Sequence, residues 1–292
     1  MQIESLKVFC DLAETESFTK AAQINSVTQS AVSQTISSLE RQFKSRLIER
    51  SKKNFRLTAE GEVVYDFSKR ILQTYDAINS MIQELNNEIS GQIRVAAVYS
   101  IGLHDLPPYE KRFLKDHPNV NLRVTYRREN QVYDDVLGNI VDLGLLAYPS
   151  RDSKLEVIPL REDPLVLICA PQNPLARQKT VKLKALDGQD FVGFEPDMPT
   201  RKALDKVMKD QGAAVKHVMQ FDNIETLKRA VEIGSGIAIV PEETVRQEVA
   251  SQTLASIKLE GKHVRQLGVI YKKGKVLSPA MKAFIELLKE KL

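Results

Sequence analysis

The chain is poor in the residues on which metal and redox chemistry depend. It has two cysteines, Cys10 and Cys169, and four histidines in 292 residues. The cysteines stand far apart, each inside an apolar pattern, which fits buried thiols rather than a redox role. His104, His117, His217 and His263 show no metal-ligand spacing. Long apolar stretches are missing too. Runs such as PLVLICA are too short to span a bilayer. The start, MQIESLKVFCDLAE, puts Glu4, Lys7 and Asp11 where a signal peptide needs an apolar core. These absences predict a cytoplasmic protein without membrane partner, metal or cofactor. No GxSxG or Walker pattern occurs. Gly234-Ser235-Gly236 follows a helical pattern and lacks a third glycine, so it reads as a helix end and turn. Net charge is small: 42 Lys and Arg against 38 Asp and Glu give +4. Any basic function must therefore come from local clustering.

What is present begins with short helices. The length allows two or three domains with sizeable cores. Leu6, Phe9, Cys10 and Ala13 form one apolar stripe. Ser17 is placed to cap a second helix, Phe18 to about Asn25, and Thr28 a third. Two short helices joined only by Ser26 and Val27 must cross steeply, as in a helix-turn-helix. The third helix buries Val32, Ile36, Leu39 and Phe43 at helical spacing. Its other face carries Gln29, Ser30, Ser33, Gln34, Ser37 and Arg41. A merely solvated face would favour Lys, Glu or Ala, because serine is a mediocre helix former. Short hydroxyls and amides suit a groove-reading face, where Gln pairs with adenine and Ser donates or accepts. With Thr28 they are the candidate base readers. Arg41 to Thr58 holds seven basic residues and one acid, Glu49. SKKN reads as a turn and FRLT as a strand, together a basic wing. Ser37, Arg41, Arg50, Lys52, Lys53 and Arg56 are candidate backbone contacts.

From Thr58 to about Ser90, Val64, Phe67, Ile71, Tyr75, Ile78, Ile82, Leu85 and Ile89 recur by threes and fours. The pattern predicts one helix of roughly thirty residues with a coiled-coil-like seam, ended by Gly91. Such a seam needs cover from a partner chain, so Val64, Phe67, Ile71, Ile78, Ile82 and Leu85 are candidate dimerisation residues. After Gln92, strands such as QIRVAAVY, NLRVTYR and PLVLICA alternate with helices such as TRKALDKVMKDQG. That alternation predicts two α/β lobes with mainly parallel sheets and two crossings, near Arg161 and near Gln266.

The segments SFTKAAQINSVTQSAVSQTISSLERQF, LIER and RLTAEG resemble the winged helix-turn-helix of LysR-type transcriptional regulators. LPPYEKRFLKDHPNVNLRV, DPLVLICAPQNPLA, ETLKRAVEIGSGIAIVPEE and LSPAMKAFIELL resemble later parts of the same family, in family order, so the likeness runs the full chain. It implies a multi-domain α and α/β fold: a winged helix-turn-helix (1–58), a linker helix (59–91) and a two-lobed effector-binding domain (92–292). Lobe I would comprise 92–161 and 267–292, and lobe II 162–266. The resemblance further implies a homo-oligomer, dimer or tetramer, on an interrupted palindrome of double-stranded DNA, with a small-molecule effector between the lobes. Some positions depart from the family. Asn25 stands where leucine is usual, Ser30 for a frequent proline, Gln34 for arginine, Ile48 for phenylalanine and Lys44 for glycine.

Ser100, after the first strand, takes the family's usual ligand-contact position, with Ile101 beside it. Thr200, followed by Arg201, and Asn223 look like caps of two lobe II helices. Three helix N-termini meeting in one cleft would favour an organic anion. The alternative is that these residues only cap their helices. Glu129 falls in the cleft by alignment. It could repel a carboxylate, bind an amine, or pair with Arg127, Arg128 or Arg201. Two rival functions, a solute-binding protein and a cytosolic enzyme on the same lobes, lack a leader segment and a nucleophile–base constellation respectively.

Overall fold

The structure, a computed structural model, describes residues 2–50, 55–85 and 89–290. It begins with three helices, α1 (Ile3–Thr15), α2 (Phe18–Ile24) and α3 (Gln29–Phe43). Ser17 Oγ accepts from the Lys20 N–H at 3.3 Å and Thr28 Oγ1 from the Ala31 N–H at 3.2 Å, so both predicted caps form. Phe9, Leu12, Ala21, Val32, Ile36 and Leu39 close a small core. Phe43 does not join it and is 39% exposed, because α3 ends there. Lys44 turns the chain out of α3 with φ 53°, a left-handed position that costs a non-glycine residue about 1–2 kcal/mol.

The strands β1 (Ile48–Arg50) and β2 (Phe55–Leu57) pair antiparallel, with Ile48 opposite Leu57. Glu40 Oε1 accepts from the Leu47 N–H at 3.0 Å and ties the hairpin to α3. The next helix, α4 (Ala59–Leu85), starts against that hairpin. A Cβ on Gly61 would lie 2.1 Å from the Leu47 carbonyl oxygen, so only glycine allows this approach. Described helix runs to Leu85, the predicted continuation over 86–88 lies outside the described residues, and Ile89 packs on the core of the following lobe. Gly91, with φ 103°, opens a strand instead of capping α4. Val64 also leaves the expected seam: it packs into the helix-turn-helix core, because the first turns of α4 dock on α1.

Lobe I is built by β3 (Gly91–Val98), α5 (Tyr99–His104), α6 (Pro107–Asp116), β4 (Val120–Arg127), α7 (Glu129–Leu137) and β5 (Leu143–Ala147). The long β6 (Leu155–Cys169) carries the chain into lobe II. There follow β7 (Thr180–Val181), β8 (Asp190–Phe194), α8 (Pro199–Asp210), β9 (Lys216–Phe221), α9 (Ile224–Glu232), β10 (Ala238–Pro241), α10 (Arg246–Ala250) and β11 (Ala255–Leu259). Strand β12 (Val264–Lys272) returns, and α11 (Pro279–Lys289) covers lobe I. One sheet runs β4-β3-β5-β12-β6-β11-β7, with β10 also on β6. The sheets are therefore mixed rather than mainly parallel. The outgoing β6 and the returning β12 must run antiparallel, and β10 and β11 then pair antiparallel to β6. Arg161 lies in β6, and a bulge at Gln266/Gly268 lies in β12. No described helix is long and apolar enough to cross a membrane.

Candidate nucleic-acid interface and effector cleft

On α3 the buried stripe orients the opposite face. Because Val32, Ile36 and Leu39 point inward, Gln29, Ser30 and Gln34 are exposed and Ser33 and Ser37 half-buried. Ser30 Oγ lies 2.9 Å from Thr28 Oγ1, which stiffens the N-terminal turn. Exposed Arg41 donates from Nε to the Ser37 carbonyl at 3.3 Å. In β2 alternation turns Phe55 and Leu57 toward the core and leaves Arg56 outside. Lys52, Lys53 and the Arg50 side chain lie outside what is described. The helix, its cap and the hairpin thus present short polar groups flanked by cations, a surface that suits a major groove.

Along α4 an apolar band stays open to solvent. Phe67 is 56% exposed, Ile71 43%, Ile78 51% and Ile82 51%. Val63, not Val64, extends it toward the N-terminus, and the Leu85 side chain lies outside the described residues.

Between the lobes lies a cleft of about 530 Å³. Ser100, Glu129, Thr200 and Asn223, predicted from sequence, all line it, and so do Lys202 and Arg265, which were not. Ser100 is the second residue of α5, and its Oγ accepts from Arg265 Nη1 at 2.7 Å. Asn223 caps α9 as expected, with Oδ1 accepting from the Thr226 N–H at 3.0 Å. Thr200 is not a cap: Met198 holds that position, and Pro199 opens α8. Two predicted contacts do not reach the cleft. Ile101 is buried in the lobe I core, since α5 packs that face on β3. Arg201 is buried too; its Nε donates to Asp205 one turn on, at 2.7 Å, and its Nη1 to the Phe194 carbonyl.

None of the anticipated arginines pairs with Glu129. Arg127 is engaged by Asp135 at 2.9 Å, and Arg128 crosses the cleft to Asp222. Burial pushes the Glu129 carboxyl up to about 7, Lys202 pulls the other way, and Asp197 adds to the rise. A carboxyl raised this far takes up a proton far more readily than an ordinary glutamate. Protonated, it is a hydrogen-bond donor rather than a fixed negative charge. Both cysteines are buried, and burial raises Cys10 to about 12 and Cys169 to about 11, so neither is a thiolate at neutral pH.

Residues 3–62 match the bacterial regulatory helix-turn-helix protein, lysR family, and residues 86–292 match the LysR substrate binding domain. The chain belongs to the LysR family of transcriptional regulators. It is a DNA-binding regulator with an effector-binding domain, and its named relatives are regulators rather than enzymes. It is 30% identical to the RuBisCO operon transcriptional regulator of Allochromatium vinosum, over 98% of this chain and 95% of that protein. A full-length OxyR variant from Pseudomonas aeruginosa superposes with a TM-score of 0.75 at 19% identity, covering 99% of this chain and 93% of the other. The regulatory domain of Synechocystis CcmR in complex with 2-PG superposes with a TM-score of 0.62 at 23% identity, over 68% of this chain and 96% of that one.

Proposed function

We propose that this regulator acts in the cytoplasm as a homo-oligomer that reads an interrupted palindrome and responds to a small organic anion. The chain divides, on this reading, into a DNA-binding unit (1–58), a linker helix (59–91) and an effector domain (92–292). The exposed band of Phe67, Ile71, Ile78 and Ile82 on α4 supports pairing with a second copy. Thr28, Gln29, Ser30, Ser33 and Gln34 read bases, while Ser37, Arg41, Arg50, Lys52, Lys53 and Arg56 hold the backbone. The observation that carries the DNA assignment is the uncovered polar face of α3, capped and backed by its own core.

For the effector, an anion is supported by what meets in the cleft. Ser100, the cap of α9 and Lys202 offer donors, and Glu129 adds one when protonated. CcmR's regulatory domain was solved in complex with 2-PG, so 2-PG is included in the test. The test has two parts. An operator selected from random duplexes should lose about 1–3 kcal/mol of affinity with Gln29→Ala or Ser33→Ala, while binding to unselected DNA stays nearly constant. Equal losses on both would remove the base-reading role. Calorimetry of the full chain against 2-PG and a panel of small carboxylic and phosphorylated acids should find a ligand whose affinity falls with Ser100→Ala. Binding of amines alone would overturn the anion class.

A further inference from the structure

One carboxylate joins the DNA-binding domain to lobe I. Glu14, near the end of α1, has a side chain only 7% exposed. Both of its oxygens are fully used, and they face different ways. Oε1 accepts from the Tyr65 hydroxyl at 2.9 Å and pairs with Lys69 Nζ at 3.0 Å, both on α4. Oε2 accepts from Asn139 Nδ2 at 2.7 Å and pairs with Lys272 Nζ at 2.5 Å, both in lobe I. Lys272 is itself anchored, donating to the Leu137 carbonyl at 2.8 Å. Asn139 follows α7 in a left-handed conformation, φ 53°, that aims its amide across the gap. Burial alone would raise the Glu14 carboxyl, but Lys272 and Lys69 hold it below the ordinary glutamate range.

Among the described residues, no other hydrogen bond or ion pair runs from the helix-turn-helix to lobe I. Beside Glu14 lies a cavity of about 370 Å³ lined largely by charged groups, among them Lys7, Asp11, Arg94, Asp142 and Lys275. These are satisfied within their own domains. Asn25 donates to Asp11 at 2.8 Å inside the helix-turn-helix, and Asp142 binds Arg94 and Lys275 inside lobe I. The lining is largely charged, and polar interdomain contacts of this kind leave domains free to move unless something fixes them. Glu14 is the group that bridges the two sides with a full set of donors.

We propose that Glu14 is a latch that docks the DNA-binding domain on lobe I of its own chain. The placement of α3 is then set by lobe I as well as by the linker helix. Releasing Glu14 frees the DNA-binding domain without disturbing either domain's core.

Double electron–electron resonance on the full-length protein tests this. Spin labels go on Lys20→Cys in α2 and Lys154→Cys in lobe I, both exposed, while the native thiols are buried. Labelled chains are diluted into unlabelled protein, so that only distances within one chain are read. The expected result is one narrow distance in the parent and its loss in both Glu14→Gln and Lys272→Met. Lys272→Met acts from the lobe I side and leaves Tyr65 and Lys69 on Glu14, so it separates unlatching from damage to α1. A broad distribution in the parent overturns the latch. A narrow peak that survives both substitutions overturns it too, as does one seen only in undiluted labelled protein, which would place the contact between copies.

Discussion

Arg265→Met should destabilise the effector domain far more than loss of a surface ion pair. Arg265 and Asp163 face each other across β12 and β6, where the chain passes between lobes. Their side chains are 3% and 5% exposed, and Nε donates to Oδ2 at 2.6 Å. Removing the guanidinium leaves a buried carboxylate uncompensated and takes a donor from Ser100. Truncating one member of such a pair typically costs about 3–5 kcal/mol. For a domain of this size, at about 2–4 °C per kcal/mol, that is a fall of about 6–20 °C in its calorimetric transition. Replacing both members, Arg265→Met with Asp163→Leu, removes the orphaned charge and should recover most of the loss. Scanning calorimetry of the full chain reads both. A fall under about 2 °C for the single change would refute the reasoning, because it would put the pair in the class of exposed bridges worth under about 1 kcal/mol. So would a double variant less stable than the single one.

Three further outcomes are expected. Burial would raise the Asp142 carboxyl, but Arg94 and Lys275 hold it at about 2, below the ordinary 3.8. Its contribution is therefore present above pH 3.8 and lost as pH falls through about 2. Asp142→Asn should remove roughly 2 kcal/mol at neutral pH and flatten urea stability between pH 4 and 2; an unchanged acid limb would exclude this pairing. Ile71→Asp with Ile78→Asp should give monomers in sedimentation velocity, and an unchanged oligomer would show that the α4 band is not the interface. Because burial pushes the Glu129 carboxyl up to about 7, an anionic effector should bind more tightly as pH drops from 8 to 6. Glu129→Gln should abolish that dependence, and calorimetry finding the same slope in the variant would assign it elsewhere.

The helix-turn-helix was legible because its signals are local. Caps at Ser17 and Thr28 act within three residues, and a helical stripe separates α3's core face from its polar face. The long helix was legible as a helix but not in its partners. A seam repeating by threes and fours looks continuous even where, at Val64, the helix turns from its own core toward solvent. In lobe II, β11 gives only a faint signal: Ile257 and Leu259 alternate with Ser256 and Lys258, but a five-residue strand between turns gives few repeats. The Arg201–Asp205 spacing of one helical turn could have signalled that Arg201 was already engaged. Arg265 and Glu14 had no local signal. Their partners Asp163 and Lys272 are distant in sequence, and only the finished fold brings a buried charge to its counter-charge.

One helix of lobe I and the strand that returns to that lobe touch both the cleft and the latch. Helix α7 begins with Glu129 in the cleft and ends just before Asn139 at Glu14. Strand β12 begins beside the cleft with Arg265 on Ser100 and ends with Lys272 at Glu14. Nine helical residues span about 13 Å, and the seven strand steps from Arg265 to Lys272 about 23 Å. Over such distances a hydrogen-bonded helix moves largely as a body, and β12 stays paired to β6 on both sides of its bulge at Gln266/Gly268. Lys272 also binds the Leu137 carbonyl, so the distal ends of the two elements are tied together. A ligand can shift the molecule only by binding one arrangement better than another. On the proposed reading the discriminating groups in the cleft are Glu129 and the Arg265–Ser100 pair, which stand at the head of these same two elements. A rearrangement favoured there changes the positions of Asn139 and Lys272 relative to Glu14, and with them the fit of the DNA-binding domain on lobe I. On the proposed reading, coupling of effector to DNA needs no contact between ligand and α3; it needs two continuous elements and one carboxylate at their far ends.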